Sequence, residues 1–177
     1  ASTPLANRYV SQPKIANFTL VGRNSPTNAH TVAHFDTGTD ATLINSVFTN
    51  VAGSASACLD IADADTETSL PTFTSVYMSC GISYRPGSSA ARSEAVFTAG
   101  TGNTPTGAST LTAPTGTSLN NQVLTFINGA NETAVTPANA PAVYPFFTAT
   151  TYIGAVQNAS DTWWRGWTCG LTDGQAC

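Results

Sequence analysis

The sequence predicts an all-β protein and, within that class, a parallel β-helix: a solenoid of short strands stacked coil on coil. Three observations carry this prediction. Helix patterning is nearly absent, with no sustained apolar i, i+3, i+4, i+7 run between capping residues. Short β-type runs recur instead, separated by Gly, Pro, Asn and Ser. Three of those runs superimpose after a shift of 29 positions, the mark of stacked repeats.

In chain order the strand candidates are KIANFTLVG (14–22), TVAHFD (31–36), ATLINSVFT (41–49), ACLDIA (57–62), FTSVYMSC (73–80), EAVFTA (94–99) and NQVLTFING (121–129). The shift aligns Ile15 with Ile44 and Phe73, Asn17 with Ser46 and Ser75, and Phe18 with Val47 and Val76. A short strand follows each unit, with Phe35, Ile61 and Ile82 as its equivalent members. In a solenoid such positions stand above one another as apolar or polar ladders. A β-sandwich, also built of short strands between turns, is the alternative. The expected organisation is β-helical coils over 1–100, a Thr/Gly/Pro-rich surface loop over 101–120, and a last coil with a C-terminal cap over 121–177.

Composition narrows the setting and the partners. The chain has 177 residues, enough for one domain with a real core. Only 9% are charged, against about 25% in an average soluble domain. Thr, Ser, Asn and Gly must therefore cover the surface, and these residues suit strands and turns. A net charge of −4 with six Lys and Arg excludes nucleic acid, whose backbone demands basic clusters. No apolar run approaches the roughly 20 residues of a transmembrane helix. Four cysteines, Cys58, Cys80, Cys169 and Cys177, point to disulfides and an oxidising compartment, so the chain is expected to be secreted or displayed at a cell surface. It opens ASTPLANRYV without the basic and apolar run of a leader, which fits a processed chain or part of a longer precursor.

The segment PFFTATTYIGAVQNASDTWWRGWTCGL (145–171) resembles the closing signature of a family of exported bacterial proteins, some of them lipoproteins. The matching positions are Tyr152, Ile153, Gly154 and Ala155, then Trp163, Gly166, Trp167 and Thr168. IANFTLVGR, ACLDI and SVYMSC are similar to the family's later coils. The resemblance implies a right-handed parallel β-helix, usually with more coils upstream, and implies no reaction. On that fold, Cys58–Cys80 would rivet adjacent coils and Cys169–Cys177 would pin the chain end. An N-terminal coil without a cap would expose apolar edges, to be covered by upstream β-helix coils or other copies of the chain. This points to a structural or adhesive protein that self-assembles through its open end.

Several clusters carry candidate chemistry. Asp60, Asp63 and Asp65 supply hard oxygens at close spacing, a candidate Ca²⁺ site against the plainer reading of a solvated acidic turn. Asp36-Thr37-Gly38 matches the aspartic-protease turn, but occurs once and would need a dimer. Polysaccharide chemistry needs acids, or a base with a cation. Asp36, Asp40, Asp60 and Asp63 supply the acids, and Arg23, Arg85 and Arg92 the cations, but sequence does not bring them together. Tyr152, Trp163, Trp164 and Trp167 offer either a sugar-stacking platform or an aromatic cap over the last coil. A carbohydrate-active enzyme or glycan-binding module, with polysaccharide as partner, is therefore the alternative function.

Overall fold

The computed structural model describes residues 11–26, 30–62, 69–114, 123–166 and 168. Its body is a stack of three parallel sheets, each of three short strands. Sheet A holds β1 (Lys14–Ala16), β4 (Thr42–Ile44) and β7 (Thr72–Thr74). Sheet B holds β2 (Thr19–Gly22), β5 (Val47–Asn50) and β8 (Tyr77–Ser79). Sheet C holds β3 (Thr31–Phe35), β6 (Ala57–Ile61) and β9 (Ile82–Tyr84). Each coil contributes one strand to each sheet, which is a β-helix-like arrangement.

Equivalent side chains of successive coils stand in ladders. Ile15, Leu43 and Phe73 stack in sheet A, and Leu20, Phe48 and Met78 in sheet B. Ala33, Leu59 and Tyr84 stack in sheet C, and Phe35 pairs with Ile61 as expected. Together these side chains form one core. Cys58 and Cys80 are bonded, with 5.5 Å between Cα atoms, and tie the second coil to the third.

The register departs from the uniform repeat. Lys14 pairs with Thr42, 28 positions on, and Thr42 with Thr72, 30 positions on. The partner of Ile15 is therefore Leu43 rather than Ile44. The polar ladder is likewise Asn17, Asn45 and Ser75 rather than Asn17, Ser46 and Ser75. All three have left-handed backbones (φ 55°, 51° and 52°), and Gly102 continues the series at 70°. This conformation turns the chain sharply from sheet A into sheet B, and asparagine tolerates it better than most residues. Ile82 stacks on Ala57 rather than on Ile61.

Two further expectations are corrected. EAVFTA (94–99) is helical rather than extended: its first five residues lie in α1 (Ala90–Thr98) and Ala99 is the C-cap. Phe97 of this helix is buried against Phe73 and Tyr84, with ring centroids 5.2 and 6.3 Å away. Residues 101–107 open as a fourth coil rather than a surface loop: Thr101 bridges to Thr74, and Thr104 to Tyr77. Asn103 fastens this turn by donating to the carbonyls of Phe73 and Phe97 and accepting from the Val76 amide. α1 and this turn thus cover the far end of the core.

The C-terminal part folds back along the outside of the stack. It includes α2 (Ala130–Thr133) and α3 (Ala140–Val143). Ile153, Leu111 and Val135 pack on Val47 and Tyr77, forming a second, smaller core on the outer face of sheet B.

Candidate functional site

A constellation of charged and titratable side chains lies on the outer face of sheet C. Strand alternation sends Ala33 and Phe35 inward and leaves His34 outside. The register of β3 on β6 then sets His34 beside Asp60. Arg85 follows β9 directly, and its amide donates to the Leu59 carbonyl, which brings its side chain over Asp60. Successive coils thus lay down a His34–Asp60–Arg85 row.

Asp60 organises the row. Its carboxylate belongs to a residue only 2% exposed and is held on both oxygens. Oδ2 accepts from Arg85 Nη1 at 3.0 Å and lies 3.2 Å from His34 Nδ1. Oδ1 accepts from Ser89 Oγ at 2.6 Å. A buried carboxylate needs such partners to remain charged. The His34 side chain is 43% exposed, and its Nε2 lies 3.9 Å from Asp36 Oδ2. Asp60 thus borders the imidazole on its Nδ1 side.

Arg23, just beyond β2, and His30, just before β3, meet across the same face, with Arg23 Nη2 2.9 Å from His30 Nε2. Arg23, His30, His34 and Arg85 line one cavity of about 520 Å³. Ser56 stands at its wall, 2% exposed, with a hydroxyl that has no partner among the described residues. A second cavity of about 280 Å³ adjoins it across Arg85 and is lined by Asp60, Gly87, Ser88 and Ser89. Both histidines and two of the chain's six Lys and Arg therefore converge on one face of a protein with net charge −4.

The other candidate residues fall elsewhere. Of the acidic trio only Asp60 is described, and its oxygens are engaged by Arg85, Ser89 and His34; Asp63 and Asp65 lie outside the described residues. Among the described residues no group of three or more His, Cys, Asp or Glu could hold a metal ion. Asp36-Thr37-Gly38 is a turn between coils, with Asp36 Oδ1 accepting from the Thr37 amide. Asp40 accepts from the Leu70 amide, and Arg92 donates to the Ser69 carbonyl. Cys169, Cys177 and Trp167 lie outside the described residues.

The remaining aromatics sit on the flank of the first coil. Trp163 Nε1 donates to the Ala155 carbonyl, Trp164 packs edge-on against Phe126, and Tyr152 offers its carbonyl to Asn17. Trp163, Trp164 and Phe126 border a groove of about 270 Å³ beside Thr19 and Val21. The aromatic ring packed on the third coil is that of Phe97, against Phe73 and Tyr84.

Sequence reasoning named Asp60, Arg23 and Arg85 but passed over the histidines. The signal was present: once Phe35 is matched with Ile61, the preceding residues, His34 and Asp60, must be neighbours.

No family model, curated protein or solved structure matches this chain. Among the described residues, no helix is long and apolar enough to cross a membrane.

Proposed function

We propose that this protein is a secreted or cell-surface module that binds an acidic polysaccharide across the outer face of sheet C. The convergence of Arg23, His30, His34 and Arg85 on one cavity carries the reading. Among the described residues Arg23 meets a histidine there rather than a carboxylate, leaving its charge for a ligand anion. Guanidinium groups bind carboxylates and sulfates through paired hydrogen bonds, and adjoining cavities suit consecutive units of a polymer. The scaffold is read as the right-handed parallel β-helix of the exported bacterial family whose closing motif the chain resembles. The bonded Cys58 and Cys80 fit an oxidising compartment. Titration calorimetry with polygalacturonate, alginate and neutral dextran tests the reading. Binding to an acidic polymer but not to dextran is expected; equal indifference to all three overturns it.

A structural or adhesive role through self-assembly is favoured by a separate observation. Leu43, Phe48 and Cys58 of the second coil are at most 2% exposed. Their counterparts in the first coil, Ile15, Leu20 and Val32, are only partly buried. Among the described residues, β1, β2 and β3 pair on one side alone. Such edges accept a further coil, from upstream sequence or from another copy. Concentration-dependent oligomers or filaments by sedimentation and electron microscopy are the expected sign; a monomer at all concentrations removes self-assembly.

A further inference from the structure

We infer that the sheet C face cleaves a polyuronate by β-elimination, with His34 as the base; this rests on the acidic-polysaccharide reading above. The reaction needs three things in one place. A base must take the proton on the carbon bearing the carboxylate. A cation must hold that carboxylate so that the negative charge developing on it is stabilised. The chain must lie across the base with sugar units on either side.

His34 has the arrangement of a base. Its Nδ1 stands 3.2 Å from a carboxylate that is 2% exposed and is itself fixed by Arg85 and Ser89. A histidine oriented through one nitrogen presents the other as a proton acceptor, and among the described residues Nε2 makes no hydrogen bond and stands 3.9 Å from Asp36 Oδ2. Arg23 and Arg85 share its cavity and supply the cations. The larger cavity, about 520 Å³, holds His34, and a second of about 280 Å³ shares Arg85 with it, which gives places for consecutive sugars along the face.

The step balances without an oxidant or reductant. His34 Nε2 takes the C5 proton of a bound uronate. The C5–H electron pair becomes the C4=C5 double bond, and the C4–O bond breaks with its pair on the glycosidic oxygen. That oxygen takes a proton back from the His34 imidazolium or from water. One product carries a new hydroxyl and the other an unsaturated uronate. Asp60 touches no substrate; it is a positioning residue.

The experiment pairs binding with turnover on the full chain. Polygalacturonate and alginate are titrated by calorimetry, and the ultraviolet absorbance of unsaturated ends is followed in the same samples. The expected result is absorbance growth for the polymer that binds. His34→Gln should still bind it measurably through Arg23 and Arg85 while losing turnover by about 100-fold or more, far beyond any loss of affinity. Binding with no absorbance growth overturns the elimination and leaves the binding site standing. Turnover undiminished in His34→Gln overturns the role of His34. No binding to either polymer overturns both readings. Circular dichroism of His34→Gln matching the parent assigns its loss to chemistry rather than to folding.

Discussion

Asn45 stands at the same left-handed corner as Asn17 one coil away, and both asparagines use that corner to grip the C-terminal part of the chain. The Asn17 amide group donates to the Tyr152 and Gly154 carbonyls. Asn45 donates to the Ala138 carbonyl at 2.9 Å and accepts from its amide at 2.7 Å, while its own carbonyl receives the Gly154 amide. A repeat that turns the coil thus also binds the segment packed outside it.

That double role sets the first prediction. Asn45 is fully buried, and its side chain satisfies both polar groups of Ala138. Replacing it with Ala removes two hydrogen bonds and leaves a non-glycine residue at φ 51°. The loss should be about 2–4 kcal/mol in urea unfolding. Asn45→Gly accommodates the backbone but still loses the bonds, so it should remain well below the parent.

The second prediction concerns the rivet between coils. Cys58 and Cys80 are 22 residues apart and bonded. Closing a loop of that size restricts the unfolded chain by roughly 3 kcal/mol. Cys58→Ala with Cys80→Ala should lower the urea midpoint accordingly, and the parent under reductant should fall by a similar amount. A peptide map joining Cys58 to any other cysteine would contradict the pairing.

Strands and their period were legible because inward Ile, Leu, Val and Phe recur in short runs. The average repeat of 29 was right, yet it placed Ile15 on Ile44, because coils of 28 and 30 residues average to the same value. A fixed period cannot sense a residue moved from one inter-coil turn to the next. The apolar runs 14–22, 41–49 and 73–80 do hold strands, but each splits at its left-handed corner into two strands of different sheets, and the neighbour of each side chain shifts with it. α1 left little trace because its buried residues are Ser93 and Phe97, a stripe too narrow and too polar to register as a helical face. The site was hidden for a third reason. Sheet C repeats by 26 and then 25 positions, so its His34–Asp60–Arg85 row is invisible at the period that governs the other sheets.

The third prediction tests the cations of that row. Arg23→Ala removes a charge that no carboxylate holds among the contacts of the described residues, and should weaken acidic-polymer binding by about 10-fold with little change in stability. Arg85→Gln should weaken binding to a similar extent and also destabilise the fold, because it leaves buried Asp60 with fewer partners. Affinity of the parent should fall as salt is raised, and the slope should be shallower in both variants. Affinities measured by calorimetry across a salt series, together with urea midpoints, separate the two arginines.

The fourth prediction follows from Tyr84. Its ring packs in the core beside Phe97, and its hydroxyl is buried without a hydrogen-bond partner among the described residues. Burial first, and the charge of Glu94 second, push its phenol up to about 12. In the unfolded chain the same group loses its proton near pH 10. Because the folded value is the higher, the neutral phenol's contribution is whole below about pH 10 and drains away as pH rises towards about 12. The fold should therefore weaken through that window. Tyr77 and Tyr152 are raised in the same direction, chiefly by burial, and add to the effect. Tyr84→Phe keeps the ring, removes the unpartnered hydroxyl and cannot ionise. Urea midpoints at about pH 8 and about pH 11 should show a smaller alkaline drop in this variant than in the parent. At the lower pH the variant should equal or exceed the parent, since no hydrogen bond is lost. An equal drop in both proteins would place the alkaline weakness on the other two tyrosines.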